Sequence, residues 1–110
     1  MKERCGIIVD NEFIEIRNIS ENNYEFIMDP KQLYNYLKHY NLNAIVHTHR
    51  GMCEPSDFDI YNMKFWNIPW IIVSKKCIKA YKYSYLGIIE INIESLISKK
   101  LYNLIMQLLY

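Results

Sequence analysis

The stretch His47-Thr48-His49-Arg50-Gly51-Met52-Cys53-Glu54-Pro55-Ser56-Asp57-Phe58-Asp59 gathers the side chains of this chain best suited to chemistry. Two imidazoles one residue apart are followed, after a short loop, by Ser-x-x-Asp. On a strand, residues i and i+2 project from the same face, so His47 and His49 point together while Thr48 points away. A spacing of about 7 Å along the strand lets two inward-leaning imidazoles each bring a nitrogen to about 2.0–2.1 Å from one zinc ion. Asp59 is the best candidate for a third ligand. With Ser56 as a helix cap it lies in the first turn and projects back toward the histidine strand. Three protein ligands leave zinc a fourth position for water, the open arrangement of a catalytic site.

Each component also has a reading without chemistry. A histidine pair on a strand is commonly a surface or core pair, and Ser-x-x-Asp ahead of an apolar run is close to a helix capping box. The combination is more specific than its parts, because a buried strand ending in His-x-His must coincide with a capped helix carrying Asp one loop later.

For three ligands to meet, a strand, a loop and a helix must follow one another, and the flanking sequence supplies them. Ala44-Ile45-Val46 is an apolar strand running into the two histidines. Pro55-Ser56 opens a helix on which Phe58, Tyr61, Phe65 and Trp66 recur at helical spacing before Asn67-Ile68-Pro69 stops it. Trp70-Ile71-Ile72-Val73 is another continuous apolar strand. Upstream, Cys5-Gly6-Ile7-Ile8-Val9, the polar break Asp10-Asn11-Glu12 and the alternating Phe13-Ile14-Glu15-Ile16-Arg17 predict a hairpin. A loop at 20–23 and a short extended edge at 24–28 follow. Asp29 as N-cap and Pro30 at the first position start a helix with Leu33, Tyr36 and Leu37 on one face, ended by 41–43. Ile78 to Tyr83 alternates as a strand with a solvated face, and 88–93 is a further strand candidate. From Glu94, the spacing of Leu96, Ile97, Leu101, Leu104, Ile105 and Leu108 predicts a C-terminal helix. Covering the sheet is that helix's default role, with a homodimer interface as its other use. The order of elements indicates an α/β domain in which helices sandwich a mixed sheet.

The 110 residues suit one domain, and 51% hydrophobic composition is enough for a core. A net charge of +1 lacks the strong positive field that nucleic-acid or anionic-membrane binding draws on, so neither partner is expected. Cys5, Cys53 and Cys77 are odd in number and form no C-x-x-C pair, so no disulfide framework or four-cysteine zinc site is expected. Cys5 and Cys77 read as core, Cys53 as a spectator thiol, and the compartment as reducing and cytoplasmic. The apolar run near the N-terminus is too short for a signal peptide, and no segment has the roughly 20 apolar residues of a membrane span.

These residues, with one stretch upstream, resemble a known family. His47-Thr48-His49, the loop and Ser56-x-x-Asp59 are similar to the zinc signature of the JAMM (MPN+) metallopeptidases, whose motif also has a glutamate upstream in the form Glu-x-Cys-Gly. This chain has Glu3-Arg4-Cys5-Gly6-Ile7-Ile8 there. The passage from Ser56 through Pro69-Trp70 to Ser74 is similar to the JAMM domain of phage tail-tip assembly proteins, which commonly end this helix in a Pro-Trp step before an apolar strand. The likeness runs over residues 3–74.

It implies a cytidine-deaminase-like fold with a mixed curved β-sheet flanked by helices, and zinc (Zn2+) held by His47, His49 and Asp59. It implies Glu3 as general acid/base, carrying a proton from the zinc-bound water to the leaving amine. Ser56 is implied as a donor to the tetrahedral oxyanion, a role worth about 3–4 kcal/mol. The implied activity is hydrolysis of an amide or isopeptide bond. The implied partner is a protein or peptide substrate: the tail of a ubiquitin-like or sulfur-carrier protein, or a phage tail or cell-wall peptide in the cytoplasm or on the virion. The alternative is a non-catalytic structural module of phage tail assembly. Three departures stand out. Arg50 replaces the family's usual proline, the loop from Arg50 to Pro55 is shorter by about one residue, and only Met1 and Lys2 stand where the family has a strand and helix before Glu3. They leave the placement of Ser56 and the anchoring of Glu3 to the tertiary structure. Without the resemblance, Glu3 reads as a frayed terminal charge.

Overall fold

The computed structural model describes residues 2–109. Six strands, β1 (Cys5–Val9), β2 (Glu12–Ile16), β3 (Leu42–Thr48), β4 (Trp70–Val73), β5 (Ile78–Ser84) and β6 (Gly87–Ile91), form one sheet in the order β2-β1-β3-β4-β5-β6. Neighbours are antiparallel except β3 and β4, which run parallel. A parallel pair needs a crossover, and α2 (Asp57–Met63) lies in this one. The other helices are α1 (Pro30–Leu37), α3 (Ile93–Leu96) and α4 (Lys99–Met106), the last running into a 3-10 turn at Gln107–Leu109.

The apolar runs of β1 and β4 are buried at every residue, as strands covered on both faces must be. On one face, Cys5, Ile45, Trp70 and Ile72 pack with Met63 of α2, while Ile7, Val9 and Ile16 meet Leu33 and Tyr36 of α1. On the other, Ile8, Ala44, Val46, Ile71, Val73 and Ala80 pack under Leu101, Ile105 and Leu108. The predicted mixed sheet between helices is therefore the observed α/β architecture. Asp10 and Asn11 both have positive φ (48° and 64°), the requirement of a tight two-residue hairpin turn. Gly6 lets the Phe13 ring and the Ile14 carbonyl lie against β1 where a Cβ would collide with both.

Four local expectations change. Residues 24–28 form no strand, only the bridge Asn18↔Met28. Helix α1 ends at Leu37, and Leu42 and Asn43, read as a breaker, already belong to β3. Helix α2 stops at Met63, although Phe58 and Trp66 still pack on the same cluster. The C-terminal helix is broken: Ile97 is extended, and Ser98 caps α4 by accepting the Leu101 N–H at 3.1 Å. An apolar period survives that break because Ile93, Leu96 and Ile97 pack on the same cluster as Leu101 and Ile105. Among the described residues, no helix is long and apolar enough to cross a membrane.

The cysteine expectation is also corrected. Cys53 and Cys77, 24 residues apart, form a disulfide across a Cα–Cα distance of 6.1 Å, and Cys5 stays a buried thiol. Spacing along the chain could not reveal a pair that β3 and β4 bring together, and the odd cysteine count no longer argues for a reducing compartment. The bond ties the loop behind His49 to the β4–β5 turn. Closing a loop of this length is worth roughly 3 kcal/mol through the unfolded state. Replacing both cysteines by serine is expected to lower the denaturant midpoint accordingly, with reduction of the unsubstituted protein doing the same; an unchanged midpoint would remove this role.

Candidate metal centre

Strand β3 is paired on both sides, so the backbone at its end is fixed. His47 stands in register with Cys5 on β1 and Ile72 on β4, and His49, just beyond the strand, still donates its N–H to the Val73 carbonyl at 2.9 Å. The His47 ring is fully buried, stacked on Phe26 at 4.5 Å between centroids and edge-on to Trp70 at 5.8 Å. Ser56 caps α2: its Oγ accepts the Asp59 N–H at 3.1 Å, and its own N–H donates to Asp59 Oδ2 at 2.9 Å. The capping box is thus real. It also aims the buried carboxylate at the histidines, because Asp59 Oδ1 lies 3.0 Å from His47 Nε2 and Oδ2 lies 2.9 Å from His49 Nε2.

The two Nε2 atoms are 3.1 Å apart. Ligands at about 2.0–2.1 Å from a tetrahedral zinc stand about 3.3 Å from one another. The nitrogen–nitrogen separation is close to that edge length, and each imidazole nitrogen has its own Asp59 oxygen at a similar distance, so the two histidines and the Asp59 carboxylate are near enough to share one ion. The donor set of two imidazoles and a carboxylate is also one that zinc accepts. Nδ1 of His47 has no hydrogen-bond partner among the described residues. A metal-ligating histidine usually gives this atom to a carbonyl or carboxylate; here packing against Phe26 and Trp70 orients the ring instead. His49 Nδ1 faces the Met52 carbonyl at 3.3 Å.

Glu3 joins this group, with ligand atoms of Glu3, His47 and His49 all within 4.8 Å of one another. Its segment is tied down on three sides, unlike a frayed terminus. The Arg4 N–H donates to Thr48 Oγ1 and the Thr48 N–H to the Arg4 carbonyl, each at 2.9 Å. Asn18 Nδ2 donates to the Glu3 carbonyl at 2.8 Å. The Arg4 guanidinium makes two bonds to the Glu15 carboxylate, at 2.8 and 2.6 Å, and one to the Leu108 carbonyl at 3.1 Å.

The electrostatics divide the labour. Burial pushes the Glu3 carboxyl up to about 7, with His49 opposing and Asp59 adding to the rise. Burial also pushes on Asp59, but bonds from both histidines, the His47 charge and the Ser56 amide outweigh it and hold this carboxyl well below the usual carboxylate range. Burial lowers His47. For His49 the same effect is outweighed by Asp59, Glu3 and the Met52 carbonyl, and its value rises.

The fold has a relative of known structure. The backbone matches the solution structure of protein DSY2949 from Desulfitobacterium hafniense with a TM-score of 0.67, over 83% of this chain and 76% of that one, at 16% sequence identity. At that identity the likeness concerns the fold alone. No family model matches the chain, and no curated protein matches it significantly.

The five residues singled out from the sequence divide clearly. His47, His49 and Asp59 converge, Glu3 stands beside them, and Ser56 is the helix cap whose Oγ is already an acceptor, leaving its hydroxyl hydrogen able to donate. Sequence reasoning missed Phe26, Met52 and Asn18. Phe26 lies in a segment read as an edge strand, and nothing in its neighbours in sequence signals a contact with His47. Thr48 was placed on the opposite face from the histidines, which is why it can hold Arg4.

Proposed function

We propose that this protein is a zinc-dependent metallopeptidase of the JAMM type that hydrolyses an amide or isopeptide bond in a protein or peptide. The observation carrying the reading is the convergence of His47, His49 and Asp59 within 3.1 Å of one another, with Glu3 close by. Asp59 lies at hydrogen-bond distance from both histidines and Glu3 from neither, which supports Asp59 as the third ligand and Glu3 as the acid/base. Zinc bound there would supply Lewis acidity and a hydroxide near neutral pH. The Glu3 carboxyl, titrating at about 7, suits a group that takes up a proton and then gives it to the leaving amine at neutral pH. Ser56 would donate to the developing oxyanion.

Zinc-loaded protein is expected to cleave at least one member of a panel of ubiquitin-like fusions, sulfur-carrier tails and cell-wall peptides, to lose this activity on chelation and to regain it with zinc. Silence across the panel, with zinc bound, would sink the peptidase reading. Ser56→Ala is expected to cost about 1 kcal/mol of stability as a lost cap and about 10²–10³-fold in turnover as a lost oxyanion donor, whereas Ser56→Thr retains most of both. Loss of the cap energy alone would restrict Ser56 to its helix.

One observation favours a second reading, a non-catalytic module of phage tail assembly. Asp59 lies within hydrogen-bond distance of both histidines, an arrangement that would also suit a buried polar lock between β3 and α2. Protein purified without stoichiometric zinc, and unable to take it up, would favour that role.

A further inference from the structure

The centre opens into a cleft of about 420 Å³ whose lining includes Lys2, Glu3, Arg4, His49, Arg50 and Lys75. It sits at the carboxyl ends of the parallel pair, with His49 just past β3 and Lys75 just past β4, where an open sheet leaves a crevice for ligands. Glu3 and His49 belong to both cleft and centre, so a peptide held at the centre has this cleft beside it. Its volume suits one or two residues of a peptide.

The charge of the cleft departs from that of the chain. The whole sequence has 13 Lys and Arg against 12 Asp and Glu, yet among the described residues this wall carries four cations and one carboxylate. Arg4 is neutralised by Glu15, and Arg50 lies over the Tyr24 ring at 6.0 Å. Lys2 and Lys75 are exposed and form no ion pair among the described residues. A cleft lined by one sign of charge focuses the field and concentrates ions of the other sign. The occupant thus needs an anionic group, as a glutamate side chain or a chain-terminal residue has.

We propose that the cleft holding Lys2 and Lys75 beside the metal centre is a specificity subsite for a peptide carboxylate flanking the bond held there. The assignment of that bond rests on the peptidase reading; the preference for a carboxylate is a binding property of the chain without metal.

The test uses metal-free full-length protein and fluorescein-labelled ten-residue peptides in anisotropy titrations. One peptide carries a Glu-Glu pair and a free C-terminus, a second replaces the pair by Gln-Gln, and a third is amidated. The first is expected to bind about fivefold or more tightly than at least one of the others, and to weaken between 50 and 500 mM salt as the charges are screened. Loss of affinity with Gln-Gln assigns the carboxylate to a side chain; loss on amidation assigns it to the chain end. The preference is expected to vanish in Lys2→Glu/Lys75→Glu and to shrink in Lys75→Ala, with unchanged unfolding midpoints as the control for folding. Equal affinity for all three peptides, a preference that survives in the double variant, or tighter binding of a single-stranded oligonucleotide of equal charge would overturn the proposal. Because no cleavage is measured, that failure leaves the peptidase reading standing, and carboxylate-selective binding by a protein inert toward every substrate would do the reverse.

Discussion

Glu3→Gln is expected to leave zinc uptake intact and to lower peptide cleavage by about 10²–10⁴-fold, the range over which a positioned acid/base acts. The amide matches the carboxylate in shape and keeps the backbone anchorage through Thr48 and Asn18, but it cannot take a proton. Stability supplies a second readout on metal-free protein. A carboxyl raised from 4.5 to about 7 in the folded state binds its proton more tightly there than in the unfolded chain. Its contribution to stability is therefore greatest below about 4.5 and is lost as pH rises through about 7. Glu3→Gln is expected to remove that decline, so denaturant unfolding of the variant at pH 8 should require no less denaturant than the parent. Equal cleavage by both proteins would refute the role, and loss of zinc in the variant would make Glu3 a ligand.

Asp59→Ala is expected to abolish zinc uptake and to destabilise the metal-free protein by roughly 3–5 kcal/mol, the cost of breaking a buried charged pair from one side. The carboxylate is buried, bonds both histidines and closes the capping box, so three sets of contacts go at once. Asp59→Asn keeps the size of the side chain and removes its charge, which makes it the informative variant if the alanine form does not fold. The sign of the pH effect follows from the depressed carboxyl. A group held below its unfolded value of 3.8 contributes stability that is present above that value and lost as pH falls toward the folded one. The parent's unfolding midpoint should therefore drop steeply in acid, and that limb should flatten in Asp59→Asn. Zinc uptake by either variant equal to that of the parent would exclude Asp59 as a ligand.

The parts of this protein that were legible in its sequence are those encoded over a few residues. The continuous apolar runs at 5–9 and 70–73 became β1 and β4 because strands buried on both faces need apolar residues throughout. Asp29-Pro30 started α1, and Ser56 with Asp59 capped α2, because the unpaired N–H groups of a helix start are met by side chains two or three positions away. The break at Ile97–Ser98 escaped notice for a related reason. The apolar period there continues unbroken while the backbone does not, and a capping serine inside a periodic stretch looks like any solvent-facing residue.

The sequence by itself determined which side chains were available for the site and on which short elements they would lie: two histidines at the end of a buried strand, an aspartate in the first turn of a capped helix and a glutamate before the first strand. Only the tertiary structure decided that they meet. The register of β1 and β4 against β3 sets Cys5 and Ile72 beside His47, and the α2 cap turns Asp59 onto both imidazoles. Burial moves Glu3 from an ordinary terminal carboxyl to one titrating at about 7. The same strand pairing joins Cys53 to Cys77 and gathers Lys2, Arg50 and Lys75 around one cleft. These contacts join residues ten or more positions apart, so they follow from sheet order and loop packing, which no local period along the chain encodes.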